Sequence, residues 1–198
     1  MIELRLGFLA SHSGTNMQAI IDSVKSGYLK AHLCAVISNN SQSGALERAR
    51  KEGIPAFHVS EKTHPGKVNE QIIEVFDKYR VNTLVLAGYM KKLAPSVIDH
   101  FHGRVLNIHP ALLPKFGGEG MFGINVHKAV IEAGEKVSGA TVHLVNVEYD
   151  RGRILMQMGV EVYPDDTPES LAERVLKIEH KLYPEVLKKI SLGEIIIP

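Results

Sequence analysis

The sequence predicts an α/β fold, a doubly wound and mostly parallel sheet with an antiparallel addition toward the C-terminus. Three observations predict it. Short apolar runs alternate with longer amphipathic ones through the first 110 residues, the rhythm of successive βαβ units. Several of the short runs are apolar on both faces, as strands covered by helices on either side must be. After residue 123 two β-rich runs follow each other across Glu148-Tyr149-Asp150-Arg151-Gly152, too short a connection for a parallel crossover.

Leu4 to Ala10, His32 to Ser38, Ile54 to Val59, Asn82 to Ala87 and Arg104 to Ile108 are the expected parallel strands. Helices are expected between them at Asn16 to Lys25, Gly44 to Glu52, Val68 to Tyr79 and Lys92 to Phe101. Val126 to Gly134 reads as a further helix, and Gly139 to Val147 and Arg153 to Val162 as the antiparallel pair. The last helix opens at Thr167-Pro168-Glu169-Ser170, where a Thr N-cap precedes Pro at the first helical position and an acid in the first turn. Its apolar stripe runs Leu171, Val175, Ile178, Leu182, and Pro184 is expected to bend or end it. With no internal repeat, low-complexity tract or compositional linker, residues 1–198 are expected to form one domain.

With 198 residues, 44% of them apolar, and a mean hydropathy near zero, the chain can build a packed core. Its 23 Lys and Arg against 22 Asp and Glu leave a formal net charge of +1. That balance argues against a nucleic-acid partner, because counterion release needs a cationic surplus on one face. No apolar run approaches the roughly 18 residues of a membrane helix, and the N-terminus does not read as a signal peptide, so the protein is expected to begin at Met1. Cys34 is the single cysteine and cannot form an intramolecular disulfide, which makes a reducing cytoplasm the expected compartment. No His/Cys cluster has zinc-site spacing, and no metal is expected.

In an open α/β sheet, ligands bind beyond the carboxyl ends of the parallel strands. Ser11-His12-Ser13-Gly14-Thr15-Asn16 has neither the three glycines of a dinucleotide fingerprint nor the Gly-Lys-Ser/Thr ending of a P-loop. It offers a hydroxyl-rich turn into a helix N-terminus, suited to a single phosphate, unless its side chains simply cap the helix. Asn107 and His109 lie two apart at a strand end and so project to the same side. There an amide can donate to a developing oxyanion, and an imidazole can donate, accept or carry charge. Leu112 to Gly123 holds four glycines in a loop that is either functional or a mobile excursion. Asp150 is either a turn former or, if close to His109, a base.

Ser13-Gly14-Thr15-Asn16-Met17-Gln18-Ala19-Ile20, Leu86-Ala87-Gly88-Tyr89-Met90 and Asn107-Ile108-His109-Pro110-Ala111-Leu112-Leu113-Pro114 occur in that order. Gly139-Ala140-Thr141-Val142-His143 ahead of Asp150, then Glu179-His180 with Tyr183-Pro184, complete the set. Together they resemble the phosphoribosylglycinamide formyltransferase family, folate-dependent enzymes of purine biosynthesis with a Rossmann-like fold. The resemblance implies transfer of the formyl group of N10-formyltetrahydrofolate to the primary amine of glycinamide ribonucleotide. Asn107 and His109 would then stabilise the oxyanion, and Asp150 would remove the amine proton and favour a charged His109. Gly14, Thr15 and Asn16 would hold the phosphate, and Glu179 the ribose. Met90, Lys91, Lys92 and Leu93, with Asn107, would border the folate pocket, Met90 and Leu93 through apolar contact. The same resemblance implies a cytoplasmic monomer or homodimer with small-molecule substrates, no metal, and neither nucleic acid nor membrane as partner.

Asn-x-His-Pro with a later Asp is shared by methionyl-tRNA formyltransferase and formyltetrahydrofolate hydrolase, whose added domains a 198-residue chain does not accommodate. A hydrolase, or a non-catalytic phosphoribosyl- or folate-binding module, are the competing readings. Two departures from the family pattern are visible. The Gly117 to Phe122 stretch is longer than in many relatives, and Arg151-Gly152-Arg153 puts two cations where small residues are usual. Those cations would face solvent or bind an anionic tail.

Overall fold

The computed structural model describes residues 2–198. The first strand, β1 (Arg5–Leu9), leads into α1 (Thr15–Lys25), and β2 (His32–Ser38) into α2 (Gly44–Lys51). There follow β3 (Ala56–His58), α3 (Val68–Lys78), β4 (Thr83–Leu86), α4 (Pro95–His100), β5 (Val105–His109) and α5 (Ile124–Glu132). The chain closes with β6 (Val137–Leu144), β7 (Ile154–Glu161) and α6 (Pro168–Leu192). The strands form one seven-stranded sheet in the order β3-β2-β1-β4-β5-β6-β7. Pairing is parallel from β3 to β5 and antiparallel through β6 and β7, as expected.

Period-two alternation divides the core into two layers. On β1, Leu6 and Phe8 pack beneath α1, α2 and α6, whereas Leu9 joins Ile72 and Phe76 of α3 and Val97 of α4 on the other face. Gly7 permits that second layer, because a Cβ there would stand 2.8 Å from the side chains of Phe76 and Val81. The connections from β1 run to β2 on one side, while β4 is its neighbour on the other, so strand order reverses between β1 and β4. Ligand clefts in such sheets open at that reversal. Ser11 ties its two walls together: its N–H donates to Gly88 O at 3.0 Å, and its Oγ accepts the Met90 N–H at 2.8 Å.

Several boundaries differ from the sequence reading, β3 being half the expected length and β6 starting and ending earlier, and two of the differences turn on a proline. The helix expected from Lys92 begins instead at Pro95, because the residue before a proline is pushed out of the helical region; Ala94 sits at φ −67°, ψ 148°. Lys92 is therefore not a helix start but part of an irregular connection. Pro184 does not end α6, which continues to Leu192. Burial of Leu182, Val186, Leu187 and Ile190 holds the helix together past the missing N–H.

Candidate active site

Leu106 and Ile108 of β5 pack in one core layer, and Asn107 and His109, alternating with them, project from the opposite side, where Val105 begins the strand in the other layer. Antiparallel β6 sets His143 opposite Asn107 and Thr141 opposite His109, so four polar side chains share one face at the carboxyl end of β5. Asn107 Nδ2 donates to His143 Nε2 at 3.2 Å, while His143 Nδ1 donates to Leu144 O at 2.8 Å. The carbonyl can only accept, which fixes the tautomer of His143 and leaves its Nε2 to orient Asn107. Thr141 Oγ donates to Ala111 O at 2.6 Å and accepts the Leu113 N–H at 3.1 Å, fixing the turn that follows His109.

Asp150 reaches this face from the β6–β7 connection, with φ at 55°. Its Oδ2 lies 3.5 Å from His109 Nδ1 and its Oδ1 lies 3.5 Å from His143 Nε2. The glycine loop closes over both groups: Gly118 N–H donates to Asp150 Oδ2 at 2.9 Å, and His109 Nε2 donates to Phe116 O at 2.7 Å. Gly117 makes the approach possible. A Cβ there would strike the Leu113 side chain and stand 3.1 Å from Asp150 Cβ. Burial pushes the His109 imidazole down in pKa, more than the Asp150 charge and the Phe116 carbonyl push it up. Asp150 thus favours the charged form of His109, and desolvation outweighs that effect. Burial also works against ionised Asp150, but the Gly118 N–H and the two neighbouring imidazoles together hold it below the usual carboxylate range.

A second group lies at the start of α1. No side chain caps this helix; its N-cap is Gly14, at φ 71°, whose Cβ would stand 2.8 Å from Ala45 Cα of α2. The first helical N–H with a backbone acceptor is that of Gln18, on Gly14 O. The N–H groups of Thr15, Asn16 and Met17 thus have no hydrogen-bond partner among the described residues, the arrangement that receives an anion. Arg48, which sequence reading passed over, adds a cation beside the turn by donating from Nε to Ser13 O at 2.9 Å. The Asn16 side chain is bonded to Glu179: its Nδ2 donates to Glu179 Oε2 at 2.6 Å, and its Oδ1 is buried without a partner among the described residues. Glu179 is 8% exposed and is not a solvent-facing helix charge; burial raises its pKa to about 7, against the lowering effect of Asn16.

The connection after β4 forms a third wall. Met90 is exposed, and Lys92 Nζ lies 5.0 Å from the centre of the Tyr149 ring, bridging to the segment that carries Asp150. Leu93 is 5% exposed and packs in the core with Val97 and Ile98. Lys91 is exposed. Of the two cations flanking Gly152, Arg153 donates to Ile196 O near the C-terminus and Arg151 is exposed. A surface hollow of about 890 Å3 lies elsewhere, lined by Tyr28, Leu29, His32 and Leu192 at the opposite end of the sheet, and lacks this convergence of polar groups. Among the described residues no group of three or more His, Cys, Asp or Glu is placed to hold a metal ion, and no helix is long and apolar enough to cross a membrane.

A family described as formyl transferase matches residues 4–187, the whole sheet and most of α6. The chain belongs to the formyl transferase family. Within that family, the chain is 43% identical over 92% of its length to a chloroplastic phosphoribosylglycinamide formyltransferase of Arabidopsis thaliana. It spans 64% of that relative and 62% of a similar protein from Vigna unguiculata. It is 37% identical to phosphoribosylglycinamide formyltransferase of Haemophilus influenzae, over 96% of this chain and 89% of that protein. The crystal structure of glycinamide ribonucleotide transformylase 1 from Symbiobacterium toebii superposes with a TM-score of 0.92 at 37% identity, covering 99% of this chain and 91% of that one.

Proposed function

We propose that this formyl transferase family member passes the formyl group of N10-formyltetrahydrofolate to the primary amine of glycinamide ribonucleotide, in de novo purine biosynthesis in the cytoplasm. The observation that carries the reading is the convergence of Asn107, His109 and Asp150 at the carboxyl end of β5. The likeness to phosphoribosylglycinamide formyltransferases supports the choice of substrates.

The transfer makes a bond from the amine nitrogen to the formyl carbon, breaks the bond from that carbon to N10, and moves one proton from the amine to the departing N10. Asn107, oriented by His143, would donate to the formyl oxygen as negative charge gathers there. His109 carries its hydrogen on Nε2, and that N–H, released from Phe116 O, would be a second donor. Asp150, ionised beside both imidazoles, would accept the amine proton directly or through water. Gly14, Thr15 and Asn16 would hold the phosphate at the start of α1, where open backbone N–H groups begin at Thr15, and Glu179 would accept from ribose hydroxyls through the oxygen that Asn16 leaves free. Met90 and the backbone through Lys91, Lys92 and Leu93 would border the folate, with the lysines near its anionic tail. The reaction as written needs no metal.

Purified protein given both substrates is expected to yield the formylated ribonucleotide. Formate release that proceeds equally without the ribonucleotide would instead make the chain a hydrolase. Binding of either ligand with no transfer would make it a non-catalytic module.

A further inference from the structure

Three strands contribute one residue each to a row across the sheet. His109 of β5 lies opposite Thr141 of β6, and Thr141 lies opposite Gln157 of β7, so the three side chains share the face that carries the candidate active site. His109 and Thr141 are buried, whereas Gln157 is exposed on the outermost strand. Its amide nitrogen nevertheless turns inward. Gln157 Nε2 donates to Thr141 Oγ and to Leu113 O, both at 2.9 Å, which uses both of its hydrogens. Leu113 O can only accept, so the amide has a single admissible orientation. Thr141 Oγ then has its full complement of bonds, donating to Ala111 O and accepting from the Leu113 N–H and from Gln157.

These bonds hold the main chain from Ala111 to Leu113, directly after His109. Among the described residues nothing else donates to Leu113 O. Leu113 opens the turn that ends at Phe116, whose carbonyl takes the Nε2 hydrogen of His109, and Gly118 two residues on donates to Asp150. Another tie on this segment, Lys115 to Glu135 at 2.7 Å, is a surface ion pair and restrains it weakly. The loop over His109 and Asp150 is thus anchored from the outer strand, by a side chain that bonds to neither. A misplacement of about 1 Å set up away from the reacting atoms can lower turnover by up to about a hundredfold.

We propose that Gln157 is a positioning residue for the transfer: through Thr141 and Leu113 it holds the turn that brings Phe116 O to His109 and Gly118 N–H to Asp150. This role rests on the formyl transfer proposed for the same site.

Gln157→Glu keeps the shape but puts an acceptor where Leu113 O needs a donor. In imidazole 15N spectra of the unliganded protein, the Nε2–H of His109 should exchange slowly with water, and Gln157→Glu should speed that exchange by at least about tenfold. In transfer assays the same variant should lower kcat by roughly ten- to a hundredfold and leave KM for both substrates within about threefold. Thr141→Ser keeps the hydroxyl and should behave as the parent chain does, whereas Thr141→Val removes it and should reproduce the Gln157→Glu effects. Thr141→Val introduces no charge, so it also reads the pH profile. Asp150 is faced by His109, His143 and the Gly118 N–H, and losing the last of these should move the acid limb of kcat upward.

Gln157 is on the surface, so Gln157→Glu decides the matter even where Thr141→Val proves too unstable to assay. Unchanged exchange at His109 in Gln157→Glu would overturn the proposal. So would a kcat within twofold of the parent, or a raised KM with kcat intact. A parent chain that transfers no formyl group would overturn the proposed reaction instead, and the exchange measurement, made without substrate, would still decide whether Gln157 positions His109.

Discussion

Asp150 and His109 sit 3.5 Å apart, yet their environments act on them in different ways. Hydrogen bonds outweigh desolvation at the carboxylate, and desolvation outweighs the ion pair at the imidazole, so the resting pair is an anion beside a neutral ring. Asp150→Asn and His109→Ala are each expected to lower turnover by at least about 10², the scale for losing a base or an oxyanion donor, measured as kcat with both substrates saturating. Glu179 allows a separate test by stability. Its carboxyl titrates near 7 when folded against an ordinary 4.5, so the folded chain binds this proton more tightly than the unfolded one. Its contribution is therefore present in full below about pH 4.5 and is lost as pH rises toward 7. Glu179→Gln should gain stability relative to the parent across that window, on the order of 3 kcal/mol by pH 8, in urea melts taken at several pH values. Asn107 and His109 were legible because polar residues two apart interrupt an apolar strand. His143 and Thr141 carry the same signal on β6 and received no role from the sequence, since a strand pattern does not say which strand will lie opposite.

The start of α1 depends on a residue that contributes no side chain. Gly14 takes a left-handed conformation and lets α2 approach within 2.8 Å of where a Cβ would be, so Gly14→Ala combines backbone strain with a clash against Ala45. A loss of about 1–3 kcal/mol in chemical denaturation is expected, together with weaker binding of the phosphate-bearing substrate. The start of α6 is held instead by side chains, Thr167 and Ser170 each bonding to the other's backbone N–H. Thr167→Ala should cost about 1 kcal/mol in the same measurement. That cap was readable, because Thr-Pro-Glu-Ser states donor, acceptor and φ within four residues. The delayed start of α4 was harder: Lys91-Lys92-Leu93 continues a helical pattern, and the backbone restriction imposed by Pro95 decides against it.

Across the whole molecule, alternation of strands and helices made the parallel sheet and its antiparallel extension readable, whereas the strand order was not. Strand order places the α1 N-terminus and the end of β5 on the same side of the sheet, and it arises from packing between segments far apart in sequence. Tyr183 reports on that packing. It is fully buried on α6, one turn beyond Glu179, and its hydroxyl donates to Leu106 O at 2.9 Å with Leu86 O at 3.2 Å. Tyr183→Phe should lower the melting temperature by about 2–8 °C, from the roughly 1–2 kcal/mol of a buried hydrogen bond in a chain of this size. The loop over β5 has another effect at this scale. Phe116 O and Gly118 N–H engage His109 and Asp150. A ligand that reaches these two groups therefore exchanges one set of hydrogen bonds for another. Added ligand should then raise the melting temperature only as far as mass action dictates, with no separate folding transition on binding.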